Sequence, residues 1–257
     1  MKGKKWGFNA LYNLIFPVGV TAVIVGLWAI FAFTVDEEIV VPKVGSTLKE
    51  MGYLLVNGTF YSAFGTTLFR TVIAFLCSFV VAIVFGVLAR VFPVIAKIVR
   101  PISSFMRALP TVSVILWLAL FCEKPGISAC VVTALVIFPT LWAGVESALG
   151  SIDDDLLQAC KIYQIKKSKV LTGFILPVVA PPTISLIGTG ISLNLKLMVS
   201  AEVLAAAVGS LGALFNKAKI NFMAARLMAL TIITVAVALL IELIFNLIAK
   251  GVGRWRK

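Results

Sequence analysis

The sequence predicts an all-α protein that crosses a lipid bilayer about six times. Of its 257 residues, 61% are hydrophobic and only 13% are charged, and the mean hydropathy is +1.08. A soluble domain has about 45–50% apolar and about 25% charged residues. A water-soluble fold of this length could not cover so much apolar surface, so lipid must solvate its exterior.

Six apolar runs are long enough to span lipid as helices. A spanning helix needs about 20 apolar residues, because lipid offers the backbone no hydrogen-bond partner. The runs lie at residues 14–35, 60–89, 102–121, 127–148, 178–199 and 223–249. The first follows three lysines, as a signal peptide would, but it exceeds the usual length of about 7–15 apolar residues and ends in acidic residues. We therefore predict a retained helix.

Basic residues are distributed unevenly between the predicted loops. With the N-terminus inside, the inner segments contain fourteen Lys and Arg residues, whereas the outer loops contain five, namely Lys43, Lys49, Lys124, Lys217 and Lys219. Cytoplasmic loops carry an excess of positive charge, so we expect both termini in the cytoplasm. The net charge of +12 is then explained by topology and anionic lipid, and nucleic acid is not an expected partner.

Two absences from the sequence limit the chemistry of this chain. It contains no histidine, which excludes His general bases, His metal ligands and a Ser-His-Asp triad. It also contains no G-x-x-x-x-G-K-[ST] loop to hold nucleotide phosphates. We expect no catalytic residue, no metal site and no bound cofactor, and any ATP hydrolysis must come from another chain.

Residues 150–176 form the longest predicted inner loop and do not resemble an ordinary connector. Ser151 is a potential N-cap with Asp154 in a capping-box position, and three consecutive aspartates favour a helix start. One apolar face follows at helical spacing: Leu156, Ala159, Cys160 and Tyr163. The pattern predicts a short amphipathic helix that lies either on lipid or in a groove of another protein. Leu176-Pro177 and Pro181-Pro182 favour the second alternative, because proline fixes the angle at which a helix begins.

This segment resembles the "EAA" loop of the binding-protein-dependent ABC importer permeases. Gln158, Ala159 and Cys160 stand at the Glu-Ala-Ala positions, and Gln164 stands where the family usually has Gly. In that family the loop is a coupling helix that docks in a cleft of the ATPase subunit. The resemblance assigns ATPase coupling to Asp155, Leu156, Gln158, Ala159, Cys160, Tyr163, Gln164, Leu176 and Pro177.

The resemblance extends over nearly the whole chain. The segments VP at 41–42, TLFR at 67–70, RALP at 107–110 and AEVL at 201–204 occur in the family's order. They are most similar to the branch that handles nitrate, sulfonates, taurine and pyrimidine-type vitamin precursors. The resemblance implies one permease domain (residues 1–257) with the type I ABC importer permease fold, acting as a homodimer in the bacterial cytoplasmic (inner) membrane. The implied partners are ATPase subunits that bind ATP and Mg, and an extracytoplasmic solute-binding protein.

Five polar residues fall within or beside the predicted spans: Arg70, Arg107, Asn194, Lys196 and Glu202. Such residues are costly in lipid and face a protein interior or water. They are candidates for the translocation pathway of a small polar or anionic solute. Structural pairing or gating is the favoured interpretation for Arg70, Arg107 and Glu202, and both interpretations stay open for the other two.

Two smaller motifs have structural interpretations. Gly188-Thr189-Gly190 follows no predicted strand and indicates close helix packing rather than a dinucleotide site. Pro110 and Pro139 fall within predicted spans, where they mark either hinges or repacked kinks.

Two other functional classes compete with a permease. A self-sufficient secondary transporter or channel needs coupling carboxylates in mid-membrane, whereas Glu146 and Glu242 lie close to predicted helix ends. An inverted repeat with broken helices, typical of such transporters, is not detectable. An intramembrane enzyme has poor support, because the chain has no His and no cluster of intramembrane carboxylates.

Overall fold

A computed structural model describes the backbone of residues 4–254 and the side chains of residues 19–253, and this part of the chain is helical with no strand. The helices are α1 Lys4–Val35, α2 Val44–Val56, α3 Gly58–Val91, α4 Pro93–Ala108, α5 Thr111–Phe121, α6 Pro125–Gly150, α7 Asp154–Ile162, α8 Lys167–Val170, α9 Leu176–Leu204, α10 Leu211–Ile220 and α11 Ala224–Arg254. A π-helical turn, Leu171–Ile175, joins α8 to α9.

Among the described residues, four helical segments are long and apolar enough to cross a membrane. Within the described residues these are Gly58–Val91, Pro125–Gly150, Lys167–Leu204 and Ala224–Gly253, and α4 with α5 adds a fifth if the bent pair counts as one span. The apolar part of α1 with described side chains, Gly19–Val35, is shorter. The side chains of residues 14–18, which begin the first predicted span, lie outside the described residues. The all-α membrane architecture is confirmed, and the first of the six spans stays a prediction.

The third predicted span, residues 102–121, is wrong as a continuous helix. The axes of α4 and α5 meet at 94°, because Leu109 and Pro110 have extended backbone with ψ values of 133° and 113°. Proline has no N–H to donate, and its ring disfavours the helical conformation of the preceding residue. Pro110 therefore breaks the span, whereas α6 continues through Pro139, which is buried.

The last inner loop is shorter than predicted, since helical structure resumes at Lys167 rather than near residue 178. The π-helical turn contains Gly173, the residue whose carbonyl group an ideal α-helix would place against the ring of Pro177. The π-helical turn is wider than an α-helical one, so it avoids this clash and does not require the N–H group that proline lacks. The helix can therefore begin ahead of its prolines.

The described chain divides into two compact units. The first contains the chain up to Asn57 together with Lys217–Ile232. Within it, Arg226 Nε donates to Glu50 Oε2 at 2.8 Å, and the Arg226 guanidinium lies 5.2 Å from the centre of the Tyr53 ring. These contacts join α2 to the beginning of α11. The single permease domain expected over residues 1–257 stays a prediction.

The second unit contains Gly58–Asn216 and the chain from Ile233 onward, and its core lies between α3, α6 and α9. Phe75 and Phe79 of α3 stack with ring centres 5.3 Å apart and belong to one cluster with Leu141 and Trp142 of α6. Small residues allow the helices to approach, because a Cβ atom at Gly86 would lie 2.5 Å from Val145 Cγ1. Apolar packing of this density forms the frame on which the polar sites are built.

The predicted close packing at Gly188 and Gly190 is confirmed. A Cβ atom at Gly188 would lie 2.4 Å from Phe245 Cβ, and one at Gly190 would lie 2.7 Å from Phe75 Cε2. Both distances are shorter than any van der Waals contact. α9 therefore needs glycine at both positions to pack against α3 and α11.

We predict that Gly188→Ala destabilises the protein by about 1–3 kcal/mol, because the new methyl group overpacks a contact with the rigid base of a side chain. Gly65→Ala in α3 is the matched control, since nothing lies within 4 Å of its Cβ position and alanine is the better helix former. Thermal denaturation in detergent measures both. Equal midpoints for the two variants would contradict the packing argument.

Candidate functional site

The short helix α7 begins at an aspartate cap. Asp153 Oδ1 accepts hydrogen bonds from the amides of Asp155 at 2.9 Å and Leu156 at 3.4 Å. The predicted capping box at Ser151 is wrong, because its hydroxyl donates to the Ala148 carbonyl at 2.7 Å and so ends α6. Both residues are good cap formers, and the extent of α6 decides which one starts α7.

The apolar face of α7 is uncovered in the single chain. None of the residues of α7 is buried, and Leu156 and Tyr163 are 49% and 79% exposed. Ala159 and Cys160 are partly buried. The other predicted coupling residues are exposed as well: Asp155, Gln158, Gln164, Leu176 and Pro177. Because the face has no cover of its own, it is available to a partner or to lipid.

The end of α7 turns the chain sharply at Gln164. Its φ of +51° lies in the left-handed region, and the amides of Ile165 and Gln164 donate to the carbonyls of Cys160 and Lys161 at 3.0 and 3.1 Å. This pair of bonds is the Schellman closure, which favours glycine at the left-handed position. The geometry gives a physical reason for the glycine that is usual here in the family that the loop resembles.

An ion pair connects the beginning of α7 to the last turn of α3. Arg90 Nη2 donates to Asp154 Oδ1. The Asp154 side chain is 67% exposed, so solvent screens the pair and its contribution to stability is small. The contact places the first turn of α7 beside the last turn of α3.

A second polar cluster surrounds the fully buried carboxylate of Glu202. Its Oε1 accepts from Arg70 Nη1 at 2.9 Å, and its Oε2 accepts from Thr67 Oγ1 at 2.7 Å and from the Gly212 amide at 3.3 Å. Thr67 Oγ1 in turn accepts from the Leu211 amide at 2.9 Å. The cluster joins α3, the end of α9 and the beginning of α10. Arg70 and Glu202 are thus paired, as the favoured interpretation of both residues predicts.

Two glycines make room for this cluster. A Cβ atom at Gly126 would lie 2.5 Å from Arg70 Nη2, and one at Gly212 would lie 2.3 Å from Glu202 Cβ. Sequence reasoning placed Thr67 in the TLFR segment without assigning it to this site, and it did not identify the two glycines. Thr67 lies one helical turn before Arg70 on the same helix face, and this spacing can be recognised in a sequence. The backbone amides of the cluster cannot be recognised in this way, because every residue has one.

Among residues 19–253, the other predicted pathway residues form no ion pair with the charged side chains of this cluster. Asn194 is fully buried, and its Nδ2 donates to the Thr71 carbonyl at 2.8 Å. Lys196 and Arg107 are exposed. The assignment of these three residues to a translocation pathway stays a prediction.

Helix α4 has two exposed faces. At 3.6 residues per turn, four exposed polar residues fall within an arc of roughly 80°. This cationic arc consists of Lys97, Arg100, Ser104 and Arg107. The neighbouring apolar arc consists of Val94, Ile98, Ile102 and Phe105, all at least half exposed. An apolar arc can face lipid, whereas intramembrane cations face water or protein.

The fold and sites define a class of protein: a membrane protein with several helical spans and an exposed short helix between two of them. The family described as "Binding-protein-dependent transport system inner membrane component" matches residues 82–257, and the chain belongs to this family. No curated protein matches the chain significantly.

Solved structures with a similar fold are described as ABC transporters. Two crystal forms described as "Inward facing conformations of the MetNI methionine ABC transporter" match with a TM-score of 0.62 and 20% and 19% identity, covering 79% of this chain and 97% of those. "Crystal structure of an amino acid ABC transporter with histidines" matches with a TM-score of 0.57 and 16% identity, covering 76% and 93%. At these identities the likeness shows the fold alone.

Family membership establishes what kind of subunit this is. The chain is the transmembrane permease subunit of an ABC importer, an inner-membrane protein with several spans. It is not itself catalytic, and the ATPase is a separate subunit.

We predict that Arg70→Ala lowers the free energy of unfolding by about 3–5 kcal/mol, because it leaves the buried carboxylate of Glu202 without its cation. Arg90→Ala is the matched control and should cost no more than about 1 kcal/mol, since its partner is exposed. Denaturation of both purified variants in detergent gives the comparison. A loss for Arg70→Ala no larger than that for Arg90→Ala would show that the carboxylate finds other compensation.

Proposed function

We propose that two copies of this chain form the pathway for a small polar or anionic solute, delivered by an extracytoplasmic binding protein and driven by ATPase subunits that dock on α7. The motifs favour the branch that handles nitrate, sulfonates, taurine and pyrimidine-type precursors. The observation that carries the proposal is the uncovered apolar face of α7 between two long helices. ATP and Mg bind to the ATPase in this proposal.

The contacts of α7 can transmit a displacement to both neighbouring helices. Its first turn contacts Arg90 of α3, and its last turn continues through α8 and the π-helical turn into α9. α9 has 29 residues, about 43 Å at 1.5 Å per residue. Glu202 lies near its far end, so movement of α7 is communicated along α9 to the polar cluster around this carboxylate.

Two alternatives for the apolar face of α7, lipid and protein, remain distinguishable by experiment. Membership in a family whose ATPase is a separate subunit supports protein. The lysines in the last turn of α7 and just after it, at positions 161, 166, 167 and 169, support a cytoplasmic location, where the ATPase finds its nucleotide. This orientation places both termini in the cytoplasm.

The cationic arc of α4 supports an anionic or polar solute. Its charged residues cannot face lipid at acceptable cost, and within one chain they are exposed. In a homodimer the arcs of the two copies would line a shared aqueous passage, and like charge along its walls would concentrate anions. Lys196, Arg70, Glu202 and Asn194 are the remaining predicted residues of this pathway, with Arg70 and Glu202 acting through their pairing.

We expect the tagged chain, purified from its native membrane, to bring down an ATPase subunit identifiable by mass spectrometry. The double variant Ala159→Arg, Tyr163→Asp places charge on the docking face and should lose that subunit. Lys161→Glu is the control, because it changes charge on the opposite face of α7 and should retain the ATPase. A wild-type chain that inserts normally and brings down no ATPase would overturn the docking proposal.

The anionic pathway is tested by the reactivity of a cysteine placed in the cationic arc. In a variant whose four native cysteines are replaced, the ratio of the rates with which Ser104→Cys reacts with an anionic and a cationic methanethiosulfonate should exceed the same ratio for a small thiol in solution by about tenfold, because the arc concentrates anions. Phe105→Cys on the apolar arc is the control and should be nearly unreactive, since thiolates need water. A rate ratio at Ser104→Cys no higher than that of the free thiol would contradict an anion-concentrating passage.

A further inference from the structure

A cleft of about 330 Å³ opens between the end of α3, the beginning of α4 and the end of α6. Its charged lining consists of Arg90, Lys97, Arg100 and Glu146, and the remaining lining is glycine, proline, alanine and leucine. Pockets for small ligands begin at roughly 300 Å³. The cleft can therefore hold one tetrahedral anion, or a lipid headgroup of similar size, together with water.

The charges around the cleft leave an excess of one cation. Arg100 donates to Glu146 from Nε at 3.0 Å and from Nη2 at 2.8 Å, and Arg90 pairs with Asp154. Lys97 forms no ion pair with any carboxylate among residues 19–253. Three cations thus face two carboxylates, and the unpaired cation is the one that an entering anion can neutralise.

Backbone charge adds to this excess. Pro93 and Ala96 in the first turn of α4 line the cleft, and the N-cap residue Phe92 offers no side-chain hydrogen bond to that turn. An uncapped helix N-terminus attracts anions. The C-terminal end of α6 lies on the facing wall, and its partial negative charge opposes anion binding. One of its carbonyl groups, that of Ala148, is already satisfied by the Ser151 hydroxyl.

The position of the cleft matches the depth of lipid headgroups. Arg90 lies in the last turn of α3, whose 34 residues span about 51 Å, whereas the hydrocarbon core is about 30 Å thick. The ends of α3 therefore extend to the level of lipid phosphates. The apolar arc of α4 begins beside the cleft at Val94 and can contact the acyl chains of a bound lipid.

We propose that this cleft is a binding site for a single phosphate-type oxyanion, held by Lys97, Arg100 and the first turn of α4. The anion is either the headgroup phosphate of an anionic phospholipid or a free oxyanion, since the same donors serve both. The site does not depend on the docking of an ATPase. Arg90 lines the cleft and also pairs with Asp154, so an occupant competes with α7 for this guanidinium.

Lipid retention gives the first test. The full-length chain, purified from its native membrane with any subunits that accompany it, is exposed to equal amounts of phosphatidylglycerol and phosphatidylcholine and examined by native mass spectrometry. We expect selective retention of phosphatidylglycerol, weakened about fivefold by Lys97→Gln through loss of one cation at the headgroup. Lys219→Gln, which removes an exposed lysine outside the cleft, should leave retention unchanged.

A second arm distinguishes the two sources of the anion. Calorimetric titration of the delipidated protein in neutral detergent with inorganic phosphate detects a free-ion site, whereas retained phosphatidylglycerol without phosphate binding identifies the lipid. Either result supports the site if Lys97→Gln weakens it and Glu146→Gln, which removes the opposing carboxylate, strengthens it. The proposal is overturned if neither ligand binds selectively, or if Lys97→Gln and Lys219→Gln have equal effects.

Discussion

The buried carboxylate of Glu202 imposes the strictest requirement on the described structure. Moving an ion out of water costs several kcal/mol even after relaxation, and lipid surroundings offer no solvent in compensation. Arg70, Thr67 and the Gly212 amide supply the missing partners. Because these groups belong to α3 and α10, the carboxylate on α9 fixes how three helices meet. The glycines at 126 and 212 follow from that requirement, since any larger residue would displace the ions.

The two ends of α9 differ in stiffness for reasons that its sequence explains. Near Glu202 the helix is held by charge-assisted hydrogen bonds, which are strong and directional. At its other end it begins with a π-helical turn and continues past Pro181 and Pro182, where backbone hydrogen bonds are missing. Bending is therefore easiest beside α7. In the proposed coupling, bending at these prolines takes up part of a displacement of α7, and the remainder reaches the Glu202 cluster along the stiffer part of α9.

Elements that depend on many residues were predictable from the sequence, whereas those that depend on one atom were not. Long apolar runs identified α3, α6 and α11, because hydropathy sums over about twenty positions. To predict the break at Pro110, one would have to know that neighbouring helices do not repack a kink there. The choice of Asp153 over Ser151 as the cap of α7 depends on where α6 ends. The charged members of the Glu202 cluster were recognisable as candidates, but its backbone amides from α10 carry no side-chain signal.

The cationic arc of α4 connects membrane topology with the number of chains. Residues Val94, Ile98, Ile102 and Phe105 suit contact with lipid, so the adjoining arc cannot also face lipid without exposing its cations to it. Within residues 19–253 only Arg100 of these cations has a carboxylate partner. Lys97 and Arg100 line the cleft at headgroup depth, where water and phosphate can solvate them, so the unsolved solvation problem is that of Arg107, further along the helix. A second copy that encloses water against Arg107 would solve it, and the proposed homodimer and the proposed anionic passage both answer this requirement.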